Sequence, residues 1–267
     1  MTPPDPGSIN HNDAYAPVEI ARKVETVGIA KVRLPVLQTL ALGVLAGAFI
    51  AVGGAFFTLT ITESGLGFGP ARLLGGVAFS LGLILVVIAG AELFTGNNLI
   101  VMAWADGKVT TAEVLRNWVL VYVANLIGAL GFALMMHWSG VLQSSGGVMA
   151  QTAVAIAAAK LDLSFTEAFV RGVLCNALVC LAIWLCFAAH TVIGKIFAII
   201  FPISAFVALG FEHSIANMYL IPIGILSGLE GVGLGDVVAN LVPVTLGNIV
   251  GGSVLVALVY WVIYLRK

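Results

Sequence analysis

The sequence predicts an all-α integral membrane protein: six transmembrane helices in two inverted three-helix repeats, with the second and fifth helices broken near their centres. Three observations predict it. Hydrophobic residues make up 60% of the 267 residues and charged residues 9%, and the mean hydropathy is +1.09, far from a soluble composition. Six apolar runs follow one another, near residues 35–60, 71–104, 115–138, 166–190, 192–227 and 241–265. The second and fifth exceed the ~20 residues that one plain crossing needs. Both carry the same signature, a glutamate with an asparagine five residues on.

Residues 1–34 form an amino-terminal segment that is polar and lacks the apolar h-region of a cleavable signal, so targeting falls to the first span. Within it, Ile20, Val24 and Val27 recur at helical spacing with Arg22, Lys23 and Glu25 between them, and Pro17 suits a first helical turn. The pattern predicts a short cytoplasmic amphipathic helix over 17–32 beneath the bundle. It is either an interfacial anchor or a movable gate. Residues 35–267 form the six-helix transmembrane domain.

Six crossings return both termini to one side. Arg22, Lys23, Lys31, Arg33, Lys108, Arg116, Lys195, Arg266 and Lys267 lie there, against only Arg72, Lys160 and Arg171 on the other side. That excess predicts that both termini are cytoplasmic.

The breaks read Glu92-Leu93-Phe94-Thr95-Gly96-Asn97 and Glu212-His213-Ser214-Ile215-Ala216-Asn217. Irregular backbone at membrane depth must be buried in protein or line a polar cavity, so two matched breaks point to a permeation site between two halves of a bundle. Gly43-Val44-Leu45 in the first span matches Gly172-Val173-Leu174 in the fourth. Asn125 with Gly128 in the third span matches Asn248 with Gly251 in the sixth. Three matches in one order argue for duplication, and three crossings per half turn the second copy upside down. Half-helices beginning around Gly96 and Ser214 would aim free amides at the midplane, which favours an anion there. Glycines 43, 47, 128, 247 and 251 let helices approach closely.

His213 is the one histidine inside a break, and an ionisable group at that depth is a functional candidate by default. Unperturbed, it titrates near pH ~6.5 and can lend or take a proton; the alternative is a neutral ring satisfied by loop carbonyls. His137 and His190 lie near span ends and His11 in the tail. Glu92 and Glu212 hold equivalent places and are expected to bind exposed loop amides as caps. Asn97 and Asn217 do the same where each helix restarts. The Thr95 hydroxyl is placed to meet either a permeant or His213 across the repeat interface, and Ser214 is a weaker candidate. Phe79, Leu83, Leu93, Phe94, Val179 and Phe206 surround the breaks as constriction or ordinary packing residues. Lys160 is a candidate anion attractor or a plain interfacial lysine, and Asn176 a hydrogen-bond donor to an incoming anion.

Other classes fall away. A net charge of −1 without a basic cluster gives no case for nucleic acid. Cys175, Cys180 and Cys186 fall on different faces of the fourth span with no histidine to complete a metal set, so they are packing residues. No nucleophile–base pair, phosphate loop or cofactor motif suggests an enzyme.

These residues resemble the formate/nitrite transporter family. Ala91 to Asn97 is similar to its first loop motif and Gly210 to Met218 (GFEHSIANM) to its second. Gly172 to Trp184 and Pro243 to Arg266 match as well, so the likeness runs from residue 17 to the end. The resemblance implies an aquaporin-like protomer in a homopentamer embedded in lipid, each subunit with its own pore for small monovalent anions such as formate or nitrite. It also implies that His213 and Thr95 form the central site, that Lys160 and Asn176 are an anion-attracting pair, and that the six apolar residues above form constriction rings. Gly96-Asn97 stands where some members carry Ser-Thr. The carboxy-terminal run and amphipathic start resemble formate-type members, which favours formate over nitrite or hydrosulfide.

Magnitudes select a mechanism. A bare ion entering an apolar ring costs several kcal/mol after relaxation and about 20 by an idealised Born estimate. Protonating a simple carboxylate near neutral pH costs roughly 4 to 5 kcal/mol, at ~1.36 per pH unit. Neutralisation by a proton from His213 is therefore the expected route, against an anion that stays charged and hydrated. A neutral-solute channel of the aquaporin type shares the broken-helix plan, but neither break holds a proline and the Asn-Pro-Ala loops are missing.

Overall fold

The computed structural model describes residues 14–266. Most of the tail, with His11, and Lys267 from the charge count lie outside the described residues. Within them every regular element is helical. Seven helices are long and apolar enough to cross a membrane, which makes this a multi-pass membrane protein.

The amphipathic helix α1 (Pro17–Val32) forms where the spacing predicts it. Glu19 Oε2 accepts from the Ala16 amide at 2.9 Å and fixes its start. Ile20, Ala21, Val24 and Gly28 are buried, and the face they form packs on residues 98–105. Glu25 is also buried, paired with Lys108 at 2.5 Å; Lys108 reaches Asp106 at 3.1 Å, and Trp261 Nε1 donates to Asp106 at 3.1 Å. The Glu25 hydrogen bond holds the Lys108 ammonium above its ordinary pKa, and the Trp261 hydrogen bond holds the Asp106 carboxyl below its own.

The six apolar runs appear as α2 (Val36–Ile61), α3 (Phe68–Ala89) with its continuation, α6 (Thr111–Trp138), α8 (Phe165–Ala188), α9 (Val192–Leu209) with its continuation, and a last span. That last span is α11 (Leu234–Ile249), a π-helical stretch (Val250–Leu258) and α12 (Val259–Tyr264). Both expected breaks are present. α3 ends on Gly90 (φ 80°) and α9 on Gly210 (φ 75°), left-handed residues that only glycine adopts without cost. In each case the next amide folds back, Ala91 to Val86 O at 2.9 Å and Phe211 to Phe206 O at 3.0 Å. The second chain restarts at Ser214 as expected, forming α10 (Ser214–Leu226); the first restarts at Phe94, two residues before Gly96. That first continuation is α4 (Phe94–Asn97), a 3₁₀ turn (Asn98–Ile100) and α5 (Val101–Ala105).

The seventh apolar segment, Val141–Leu161, was not among the six runs. Its mean hydropathy is 1.2, against 2.0 or more for the other six, because Gln143, Ser144, Ser145, Gln151, Thr152 and Lys160 interrupt its apolar residues. Ser145 (φ 54°) and Gly146 (φ 75°) interrupt it, and the continuous helix α7 (Val148–Leu161) has 14 residues. At ~1.5 Å per residue it reaches about 21 Å, short of the ~30 Å hydrocarbon layer. It packs on α10 much as α1 packs on the continuation of α3.

Glycines set the helix contacts. A Cβ on Gly128 would fall on the Val44 carbonyl, and one on Gly251 on the Val173 carbonyl. These are corresponding positions in the two halves, and each leaves backbone against backbone.

Candidate functional site

The two broken loops are held by hydrogen bonds that correspond group for group. In the first half Lys31 Nζ pairs with Glu92 Oε1 at 2.5 Å, and Asn97 Nδ2 donates to Glu92 Oε2 at 2.7 Å and to Asn117 Oδ1 at 2.9 Å. In the second, Lys160 Nζ pairs with Glu212 at 2.9 Å, and Asn217 Nδ2 donates to Glu212 Oε2 at 2.6 Å and to Asn240 Oδ1 at 2.8 Å. Asn125 Nδ2 donates to Gly43 O and Glu92 O, while its Oδ1 accepts the Phe94 amide at 3.0 Å. Asn248 Nδ2 donates to Gly172 O and Glu212 O, and its Oδ1 accepts the Ser214 amide at 2.9 Å.

This geometry corrects the capping roles expected from sequence. Glu92 and Glu212 do not bind loop amides; each carboxylate faces a lysine and an asparagine amide. Asn97 and Asn217 bond those carboxylates rather than the backbone of the restarting helix. The loop amides go to Asn125 and Asn248. A neutral amide suits that place because it can accept one backbone N–H while donating to two backbone carbonyls, which a carboxylate cannot do.

His213 joins the halves. Its Nε2 lies 2.9 Å from Thr95 Oγ1, 118 residues away in sequence, and its Nδ1 accepts the Ala216 amide at 3.1 Å. The amide bond assigns the tautomer: Nδ1 is bare, so in the neutral ring Nε2 carries the hydrogen and donates to Thr95. The Thr95 hydroxyl hydrogen is then free for another acceptor. Both side chains are buried, and the ring stacks on Phe206 with centroids 6.0 Å apart. Ser214, the weaker candidate, has a buried hydroxyl without a hydrogen-bond partner.

Two cavities lie on either side of this pair. One, of about 370 Å³, is lined by Lys31, Glu92, Leu93, Asn97 and Lys195 among others. The second, of about 140 Å³, is lined by Phe79, Lys160, Phe206, Glu212 and His213, together with Arg72 and Arg171. Phe79 and Phe206 meet edge to face at 5.7 Å. Leu83, Phe94, Val179 and Thr95 line neither cavity and are buried between packed helices. Phe94 lies edge-on to Tyr122 at 5.0 Å.

Lys160 and Asn176 are not brought together. Lys160 sits at the second cavity, bound to Glu212, while Asn176 lines neither. The Asn176 amide nitrogen reaches Thr95 O (3.2 Å), Asn98 Oδ1 (2.8 Å) and Asn248 O (2.7 Å), and its own Oδ1 has no partner. The residues missed by sequence reading are Lys31, Asn117, Asn240 and Asn98. Asn117 and Asn240 were findable: each lies eight residues before the repeat asparagine, Asn125 or Asn248, and so on the same helix face.

Comparison with known proteins supplies relatives. The sequence pattern of the family described as Formate/nitrite transporter matches residues 18–262. The chain is 40% identical to "Formate channel FocA" of Escherichia coli (strain K12), the alignment covering 97% of each protein. Among solved structures, it is similar to a "Pentameric formate channel with formate bound" (TM-score 0.81, 40% identity, 86% of this chain and 98% of that one). It is also similar to an "FNT family ion channel" (TM-score 0.85, 29% identity, 92% and 98%).

Proposed function

The chain belongs to the formate/nitrite transporter family, and from that premise we propose that it passes small monovalent weak-acid anions, formate first among them, through a pore in each protomer of a homopentamer. The protein is a transporter or channel, not an enzyme. The observation that carries the reading is the Thr95–His213 bond between the two loops, with a cavity on either side, each holding a lysine–glutamate pair. The relatives named for formate support the choice of substrate. In this reading there are six crossings, α7 being too short for a seventh, and the halves are inverted. Both termini are cytoplasmic in an inner membrane, as the lysine and arginine excess favours. Phe79 with Phe206, and Leu83, Leu93, Phe94 and Val179, form the apolar constrictions.

Lys31 and Lys160 draw the anion to the two loops, but each works as half of an ion pair rather than as a free charge. At the centre the anion accepts the Thr95 hydroxyl, whose hydrogen the His213 tautomer leaves available. Proton transfer needs the imidazolium, and its Nδ1–H would face the Ala216 amide. The ring therefore lets go of Ala216 as it takes up a proton, and Nε2 passes its own proton along Thr95 Oγ1 to the anion. The acid crosses the apolar constrictions and returns the proton to solvent on the far side. Asn176 acts here by holding the Thr95 carbonyl.

Stopped-flow uptake into proteoliposomes, with formate, nitrite, acetate, lactate and hydrosulfide each tested at several pH values, checks the reading. Formate uptake that rises as pH falls is expected. A flat response across all small monocarboxylates removes the formate preference.

A further inference from the structure

Arg72 and Arg171 stand out in the sequence only as cations of one membrane face, yet the structure gathers both with Lys160 around the 140 Å³ cavity. Its one acid, Glu212, is spent on Lys160. Arg72 uses Nε and Nη2 on Ala208 O and Val207 O, at 3.3 and 3.0 Å. The Arg171 guanidinium makes no hydrogen bond or ion pair among the described residues. Glu167, one turn before it on α8, gives its carboxylate to the Ser164 amide and hydroxyl and acts on Arg171 only through space, without an ion pair. Arg171 is half-buried and close enough to Arg72 for the two charges to act on each other.

The duplication shows that this arginine is not required for the fold. The Glu212 amide donates to Arg171 O at 3.2 Å, and the Glu92 amide donates to Leu42 O at 3.2 Å. Leu42 therefore holds the equivalent place, and counting back from the two glutamates puts Val192 opposite Arg72. At each of the two pairs of equivalent positions one half carries an apolar residue and the other a guanidinium, and both guanidinium groups line the same cavity, whose one carboxylate is paired with Lys160. A guanidinium fork matches the two oxygens of a planar anion, which an ammonium does not.

We propose that Arg171, with Arg72 beside it, is a capture site for planar two-oxygen monovalent anions such as carboxylates and nitrite, placed before the Phe79–Phe206 pair, and that it selects against one-centre anions such as hydrosulfide. The proposal rests on the transport reading above.

The test uses full-length protein reconstituted in a single orientation, with initial rates of formate and hydrosulfide entry measured from each face for wild type, Arg171→Leu and Arg171→Lys. Arg171→Leu is expected to raise the half-saturating formate concentration about tenfold from the Arg171 face, equivalent to one lost charge-assisted contact. The maximal rate, hydrosulfide entry and formate entry from the opposite face should hold. Arg171→Lys keeps the charge without the fork and should lose the formate-over-hydrosulfide preference, which keeps the proposal testable if the leucine variant misassembles. An unchanged formate half-saturation, or an equal rise for both anions, overturns it. A wild type that passes no formate from either face instead overturns the transport reading, and it does so before any variant is compared.

Discussion

The ring nitrogen Nδ1 of His213 accepts the backbone amide of Ala216 at 3.1 Å, so the residue that reaches Thr95 with Nε2 also caps the half-helix α10 with its other nitrogen. A side chain committed on both sides has one neutral tautomer. Charging it requires the cap to open, which ties proton uptake to the first turn of α10.

His213→Asn separates the two possible mechanisms. Asparagine can cap Ala216 through Oδ1 and keeps an amide donor in the pore, but it is too short to hold Thr95 as Nε2 does, and it cannot titrate. The expected result is a folded protein that conducts anion without moving a proton, seen by electrical recording alongside internal-pH measurement. His213→Phe should abolish pH-dependent uptake altogether and loosen α10. If the asparagine variant still imports formate with one proton per anion and an unchanged pH profile, the relay is wrong.

Much of this site was legible in the sequence because its parts are local. Each break announces itself by a glutamate and an asparagine five residues apart, and the span lengths follow from hydropathy. Lys31 was not legible: it is 61 residues from Glu92, and only the docking of α1 against the loop brings them together. Helix α7 was missed because Gln143, Ser144, Ser145, Gln151 and Thr152 break up the apolar run around it. The capping exchange was missed for a different reason. A glutamate beside exposed amides is a good cap in isolation, and only the tertiary position of the lysines shows that its charge is already engaged.

Asn125 and Asn248 should therefore matter more to the fold than the glutamates that first draw attention. Each is fully buried and satisfies three backbone groups. Removing one leaves those groups orphaned, at about 1–3 kcal/mol each. Asn125→Ala and Asn248→Ala are expected to lower the melting temperature in detergent by similar amounts and to reduce pentamer yield. A large loss from one and none from the other would argue that the matched hydrogen bonds do not share a role.

Glu92→Gln and Glu212→Gln leave a lysine without its counter-ion. Breaking a buried pair costs about 3–5 kcal/mol, discounted where solvent reaches the charge. Lys31 is 26% exposed and Lys160 14%, so Glu212→Gln should be the more destabilising. Thermal unfolding of the two variants checks the order. Normal stability with an altered anion ranking would show that the carboxylates act on the permeant directly.

The ion pairs beneath the bundle make the docking of α1 sensitive to pH from both ends. Asp106 has its carboxyl held below the ordinary value, so its contribution is full above that value and is lost as pH falls through the lowered one. Lys108 has its ammonium held above the ordinary value, so its contribution is full below that value and is lost as pH rises through the raised one. Between the two the cluster of Glu25, Lys108, Asp106 and Trp261 is intact. Lys108 is 45% exposed, which keeps its share small. Glu25→Gln, which removes the buried partner of Lys108, should raise amide exchange across α1 at neutral pH, and it should weaken the Lys31–Glu92 contact at the far end of the same helix. Hydrogen exchange read by mass spectrometry at neutral and acidic pH checks this. Equal protection of α1 in wild type and variant at every pH would show that apolar burial alone holds the helix down.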